Sequence, residues 1–302
     1  VPEGLEDALY VVVNRTIDDR EVRYIERMSS RLISDIKDAK FMDSHLTYDG
    51  RNTGATTMTL TTSGGWTVDD TLTCTASAST FTSSDIGNEI HFYLTDNTVV
   101  RCEITAYTSA TVVSVKPNRT VSVEIQATAT LDWARAVDSL SGIWHLEGLN
   151  VSVFADGFVV ANPNNDSYTI KSISNGALNL DRCYAVIHVG IPFTSDLETL
   201  DIDTSQGETI ADKSKNTGKV TMYVENTRGL WLGASAPSAT ATDFLDGLTE
   251  VKARLFEGYD APVDLSTGKM DVIIRAEWNS NGRIFLRQTD PIPATILAII
   301  PS

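Results

Sequence analysis

The sequence is poor in the residues that most enzyme chemistry and most membrane spans need. Its 302 residues include only three cysteines and four histidines. Cys74, Cys102 and Cys183 contain no C-x-x-C pair, and their odd number supports neither a disulfide framework nor a zinc site. They are expected as reduced thiols packed in cores. His45, His91, His145 and His188 show no H-E-x-x-H and no i, i+4 pairing. His145 stands just before Glu147 and His188 lies inside an apolar run, so both are expected as structural histidines. There is no G-x-S-x-G elbow and no phosphate-cradling glycine loop. No apolar run approaches the roughly 20 residues that cross a bilayer. No signal peptide is visible either, so no stable membrane insertion is expected.

Basic charge is also scarce. Against 40 Asp and Glu there are 24 Lys and Arg, a formal charge of −16. Such a surface repels phosphate within a Debye length of about 10 Å. The balance argues against a basic footprint gripping nucleic acid, whereas lying beside nucleic acid without gripping it stays open. The five tryptophans are scattered and make no stacking platform for bases. Paired carboxylates for glycoside hydrolysis cannot be picked from so many acids without geometry. No catalytic residue and no cofactor is assigned, and the expectation is a protein that is not an enzyme.

What the chain has is β-forming sequence. Hydrophobic residues at 42% and charged residues at 21% are ordinary for a globular chain. The length accommodates two or three small domains with real cores. Val151 to Phe154, Asp156-Gly157 and Phe158 to Val160 read as a hairpin. Tyr184 to Val189 (YAVIHV) reads as a strand buried on both faces. Leu9 to Val13 and Glu21 to Ile25 flank Asp18-Asp19 and read as another hairpin. Leu32, Ile33 and Ile36 stand at helical spacing within 28–40, which is either one short helix or an irregular connection. From 51 to 137 Thr, Ser and Ala dominate and strands are short. Phe81, Ile86, Ile90, Phe92 and Leu94 are its expected apolar positions, and Thr105 to Val115 a strand pair. Beyond 200, Val220 to Val224, Leu230 to Leu232, Glu250 to Phe256, Met270 to Trp278 and Arg283 to Gln288 read as strands. Met270 to Ile274 and Ile284 to Leu286 are expected to form a hairpin around NSNG, and PIPATILAIIPS a strand buried at a sheet end.

Several pieces carry a family resemblance. HLEGLNVSVFADG, NGALNLDR and YAVIHVGIPFTSDLETL fall in one order with VVNRTIDDREVRYIERM, NTRGLWLG and IFLRQTDPIPATILAIIP. Together they resemble the C-terminal half of podovirus tail nozzle proteins, also called tail tubular protein B or the tail hub. The phrases STFTSSDIGNEIHFYL and VVRCEITAYTSATVVSV resemble the small β-barrel named after the FCCH domain of ubiquitin-activating enzymes. That likeness is to a module shape, without ubiquitin chemistry.

The resemblance implies a mainly β fold of sandwich and barrel modules. It divides the chain into a propeller remnant and connecting segment at 1–40, a nozzle-type region at 41–50 and 138–302, and an inserted barrel at 51–137. The start at Val1 is read as a fragment whose preceding half, with the partner strands of the first hairpin, lies outside this chain. The implied role is a virion structural protein of the bacteriophage tail. A homo-hexamer would extend the tail below the portal, contact adaptor proteins and tail fibres or tip, and pass duplex DNA without specific binding during ejection. The alternative is a host-surface or glycan-binding adhesin module centred on 51–137.

Two polar loops supply the candidate site residues. DIDTSQGETIAD at 201–212 offers Asp201, Asp203, Glu208 and Asp212, and the loop at 257–269 offers Glu257, Asp260 and Asp264. All are candidates for facing a channel or a neighbouring subunit. The first loop has part of the spacing of a calcium loop. Its glycine falls at the seventh position, its twelfth is Asp where Glu is usual, and no helices flank it, so a solvated or lumen-facing loop is the stronger expectation.

Overall fold

Tight turns set the strand pairing. Asp18 and Asp19 both adopt positive φ (49° and 57°), as do Asp156 and Gly157 (49° and 88°). Two successive residues with φ > 0 form the type I′ turn, whose twist matches that of the strands it joins. Tyr10–Ile17 accordingly pairs with Arg20–Arg27, residue for residue, and Asn150–Ala155 with Phe158–Ala161. Both hairpins stand where the Asp-Asp and Asp-Gly steps place them.

The computed structural model describes residues 2–3, 6–30, 33–68, 70–203, 209–210, 212–238, 243–252, 262, 264–275, 277–279 and 281–302. The fold is mainly β, built from several sheets, and its helical content among the described residues is confined to short 3-10 turns. The chain divides into two compact units. One comprises Val1–Leu46, Trp144–Gly176 and His188–Ser302, and the other Thr47–Ile143 and Ala177–Ile187.

The second unit is one antiparallel sheet in the order Ala129–Thr130, Met58–Thr61, Leu72–Ala76, Val112–Pro117, Val99–Ser109, Glu89–Tyr93, Trp133–Ser141 and Ala177–Tyr184. Its Thr-rich composition is explained by the period of two along a strand. In Leu72–Ala76 the side chains of Leu72, Cys74 and Ala76 are buried and those of Thr73 and Thr75 exposed. Met58, Leu60, Phe92, Val100, Val113 and Val115 complete the core. Phe81, Ile90 and Phe92 are buried and Leu94 packs against them, but Ile86 is 52% exposed. It caps the Ser83–Asp85 turn, where its side chain has left the sheet. Beneath that turn Asp85 is almost fully buried; it accepts from the Thr82 amide at 2.7 Å and pairs with Arg135.

In the first unit, Ser195–Glu198, Phe285–Gln288, Leu230–Gly233 and Thr249–Glu250 form one sheet, and Ser266–Ile273, Lys219–Thr227 and Thr295–Pro301 another. Val220, Met222 and Val224 share a core with Leu230, Leu232 and Leu286, the arrangement of a sandwich. A further sheet runs in the order Phe158–Ala161, Asn150–Ala155, Val186–Ile191, Asp43–Asp49. Val186 to Val189 are fully buried, as the apolar run requires.

One open alternative is decided and two expectations are corrected. Residues 28–40 form no α-helix among those described: only Ile36–Asp38 makes a 3-10 turn, and the rest is irregular. Ile33, Ile36 and Phe41 pack with Phe154 and Ile292, so their apolarity serves a tertiary contact. Met270 to Ile274 and Ile284 to Leu286 do not form a hairpin. Ser266–Ile273 pairs with Lys219–Thr227, whereas Phe285–Gln288 pairs with Ser195–Glu198 and Leu230–Gly233. Val272 and Leu286 meet across the sandwich core, where a hairpin would set their strands side by side. The C-terminal strand Thr295–Pro301 closes a sheet edge but is not buried. Ile296 and Ile299 pack on the core while Leu297 and Ile300 are exposed.

Candidate functional site

Among the described loop acids, Asp201 and Asp203 have separate partners. Asp201 is exposed and its carboxylate lies 2.5 Å from Arg283 Nε, with Glu198 at 3.4 Å from the same guanidinium. That bonding to Asp201 raises the Arg283 pKa. Asp203 turns back into its own loop, accepting from Thr209 Oγ1 at 2.8 Å and the Ile210 amide at 2.9 Å. Asp212 and Asp264 are exposed. Glu208, Glu257 and Asp260 lie outside the described residues. The carboxylates of Asp201 and Asp203 thus serve an ion pair and a loop closure. Among the described residues no group of three or more His, Cys, Asp or Glu side chains could hold a metal ion.

The same face of the sandwich carries a second ion pair. Arg287 donates to both Asp196 oxygens, at 2.8 and 2.7 Å, and to the Phe244 carbonyl at 2.6 Å. These pairs join residues more than 80 positions apart, on or beside the strands Ser195–Glu198 and Phe285–Gln288, so spacing alone could not reveal them.

Asp290 was equally invisible in the sequence. Its Oδ1 accepts from Asn162 Nδ2 at 3.1 Å and from Asn165 Nδ2 at 3.4 Å, and burial raises its pKa. Asn162 also donates to the Thr289 carbonyl, at 2.9 Å. The network ties the NPNN turn to the start of the C-terminal segment. Asp290 lines a cavity of about 340 Å³ whose walls include Phe41, Phe193, Leu286 and Ile292. A carboxyl held in this way by two side-chain amides is suited to fixing loops.

The cysteines are all buried, with Cys74 and Cys183 pushed up to about 12 by burial and Cys102 raised further. Such thiols are protonated at neutral pH and poor nucleophiles. His188 Nε2 donates to the Lys37 carbonyl, 2.8 Å away, and His145 stands 3.1 Å from the Ser44 carbonyl. His91 is buried against Glu89 at 2.8 Å.

On the Tyr10–Ile17 and Arg20–Arg27 ribbon, Val12 and Ile25 lie directly opposite one another and are 71% and 76% exposed. This ribbon pairs with no other strand among the described residues. No helix among the described residues is long and apolar enough to cross a membrane. No family model matches the chain, and no curated protein matches it.

Proposed function

We propose that the chain is a structural subunit of a podovirus-type tail, a nozzle protein whose copies close into a ring through which genome DNA is ejected. The observation that carries this reading is the acid excess of −16 on a chain built from β modules. A tube that conducts DNA must not hold it, and carboxylates repel phosphate at short range. The ordered set of nozzle-like pieces supports the same reading. So does the ribbon bearing Val12 and Ile25, which pairs with no other strand among the described residues and whose exposed apolar positions suit packing against further β structure. Head-to-tail contacts that close by rotation give a ring, and the hexamer, adaptor and fibre partners and the virion-tail location follow from the resemblance.

Exposed Asp212 and Asp264 are the best-placed candidates for a channel or subunit face, since Asp201 and Asp203 have structural partners. The test is to change Asp212 and Asp264 to Asn together and measure ring assembly and DNA ejection. Intact assembly with slowed ejection is expected, and unchanged ejection would remove these acids from the bore. An image of the assembled chain lacking an open, electronegative bore would end the conduit reading itself.

An adhesive module is the second reading. The loops at 62–68, 94–98 and 118–128 emerge at one end of the strands of the second unit and carry exposed Val68 and Val123. Deleting 51–137 separates the two: an adhesin loses host adsorption, and a conduit still assembles and ejects.

A further inference from the structure

Three of the four histidines lie around one segment of the first unit. His188, on Val186–Ile191, is buried at 2% exposure and stacks on Phe154 with ring centroids 6.5 Å apart. Its Nε2 is 2.8 Å from the Lys37 carbonyl, which can only accept, so Nε2 carries the proton. Lys37 belongs to the Ile36–Asp38 turn, which is capped by Asp35 Oδ1 accepting from the Lys37 amide at 2.9 Å. Ala39 and Met42 follow and are buried with Phe154. His45 is half-buried on the next strand, and His145 meets the Ser44 carbonyl. A cavity of about 700 Å³ lies beside this segment, lined by Glu26, Lys40, Asp43, His45 and His145 among others.

Charge decides what acid does here. Lys40 and His45 act unfavourably on a positive His188, and Lys40 does so on His45. Asp38 acts the other way on His188, and Glu26 on His45. Glu26 is already bound to Arg15 at 2.5 Å, and Arg15 also reaches Asp43 at 3.6 Å. Burial opposes charge at both rings and outweighs the favourable contacts, so both pKa values are lowered. A proton reaching either ring is accommodated best where water can solvate it.

We propose that His188 and His45 form an acid-operated latch on residues 35–45, holding the segment against the sheet when neutral and releasing it when protonated. The latch goes beyond the conduit reading and does not depend on it. The sign follows from linkage: groups whose folded pKa is depressed contribute stability above their unfolded pKa, and this is lost as pH falls through the folded value. Release therefore falls below about pH 6.5, the ordinary histidine value.

Hydrogen–deuterium exchange of the full chain tests it, comparing about pH 7.5 with about pH 5.5 after correction for intrinsic rates. The wild type is expected to lose protection across 35–45 by about tenfold, while the His45→Gln/His188→Gln chain, which cannot titrate there, keeps it. Wild-type protection independent of pH, or an equal loss in the double variant, would overturn the latch. The His45→Gln chain, altered only at a half-buried position, is measured by itself and is expected to loosen less than the wild type. A full wild-type response in that chain would also overturn it.

Discussion

Gly176 offers a clean test of how a turn and an exposed aromatic depend on each other. It stands at φ +64°, and a Cβ built there would lie 2.5 Å from Trp144 Cε2 and 2.6 Å from Cδ2. Its amide donates to Glu147 Oε2 at 2.6 Å, and the Asn175 amide to Oε1 at 2.8 Å, so Glu147 fixes the turn and Trp144 covers it. Gly176→Ala carries two penalties. The left-handed backbone costs about 1–2 kcal/mol for a residue with a Cβ, and displacing the indole adds about 1–3 kcal/mol. Gly247 separates them, because its φ is +77° and nothing lies within 4 Å of its built Cβ. Gly247→Ala should cost only the backbone part. Stabilities from urea unfolding, with unchanged slope, measure both. In a Trp144→Ala background the Gly176→Ala cost should fall to that of Gly247→Ala, a coupling of about 1–3 kcal/mol. Equal costs at Gly176 in both backgrounds would refute the contact.

Two further outcomes follow from buried carboxyls. Asp85→Ala should destabilise the second unit by about 2–4 kcal/mol, since it strips the turn cap and leaves Arg135 unpaired. Asp85→Asn, which keeps an acceptor for the Thr82 amide, should lose less, and urea unfolding of both decides. Asp290 has a folded pKa raised by burial, so its contribution is full below about pH 4 and lost as pH rises through the folded value. Asp290→Asn should therefore gain on the wild type as pH rises from about 4 to about 7, and a pH-independent difference would contradict the buried carboxyl.

Local chemistry was legible wherever a rule of short range applied. Asp18-Asp19 and Asp156-Gly157 announced hairpins, and both steps adopt the positive φ of tight turns. The apolar run Tyr184 to Val189 announced a strand buried on both faces, and Val186 to Val189 are fully buried. Ile33 and Ile36 left the choice open because apolar residues three apart fit a helix as well as an irregular segment pressed on Phe154. The NSNG step misled because turn composition does not say which sheet the following strand enters. The candidate acids were read from loop length and charge, and nothing near Asp201 in the chain signals that Arg283 is its partner.

Sequence alone determined the β class, the tightest turns, the scarcity of reactive side chains and the surplus of negative charge, because each depends on residue type or on near neighbours. Only the tertiary structure decided which strands share a sheet, which acids are committed to arginines, that Asp290 is buried among amides, and that His188, Lys37 and His45 gather in one place. Those facts depend on pairings between distant residues, and distant pairings are chosen by the shared burial of whole faces, which no short stretch encodes.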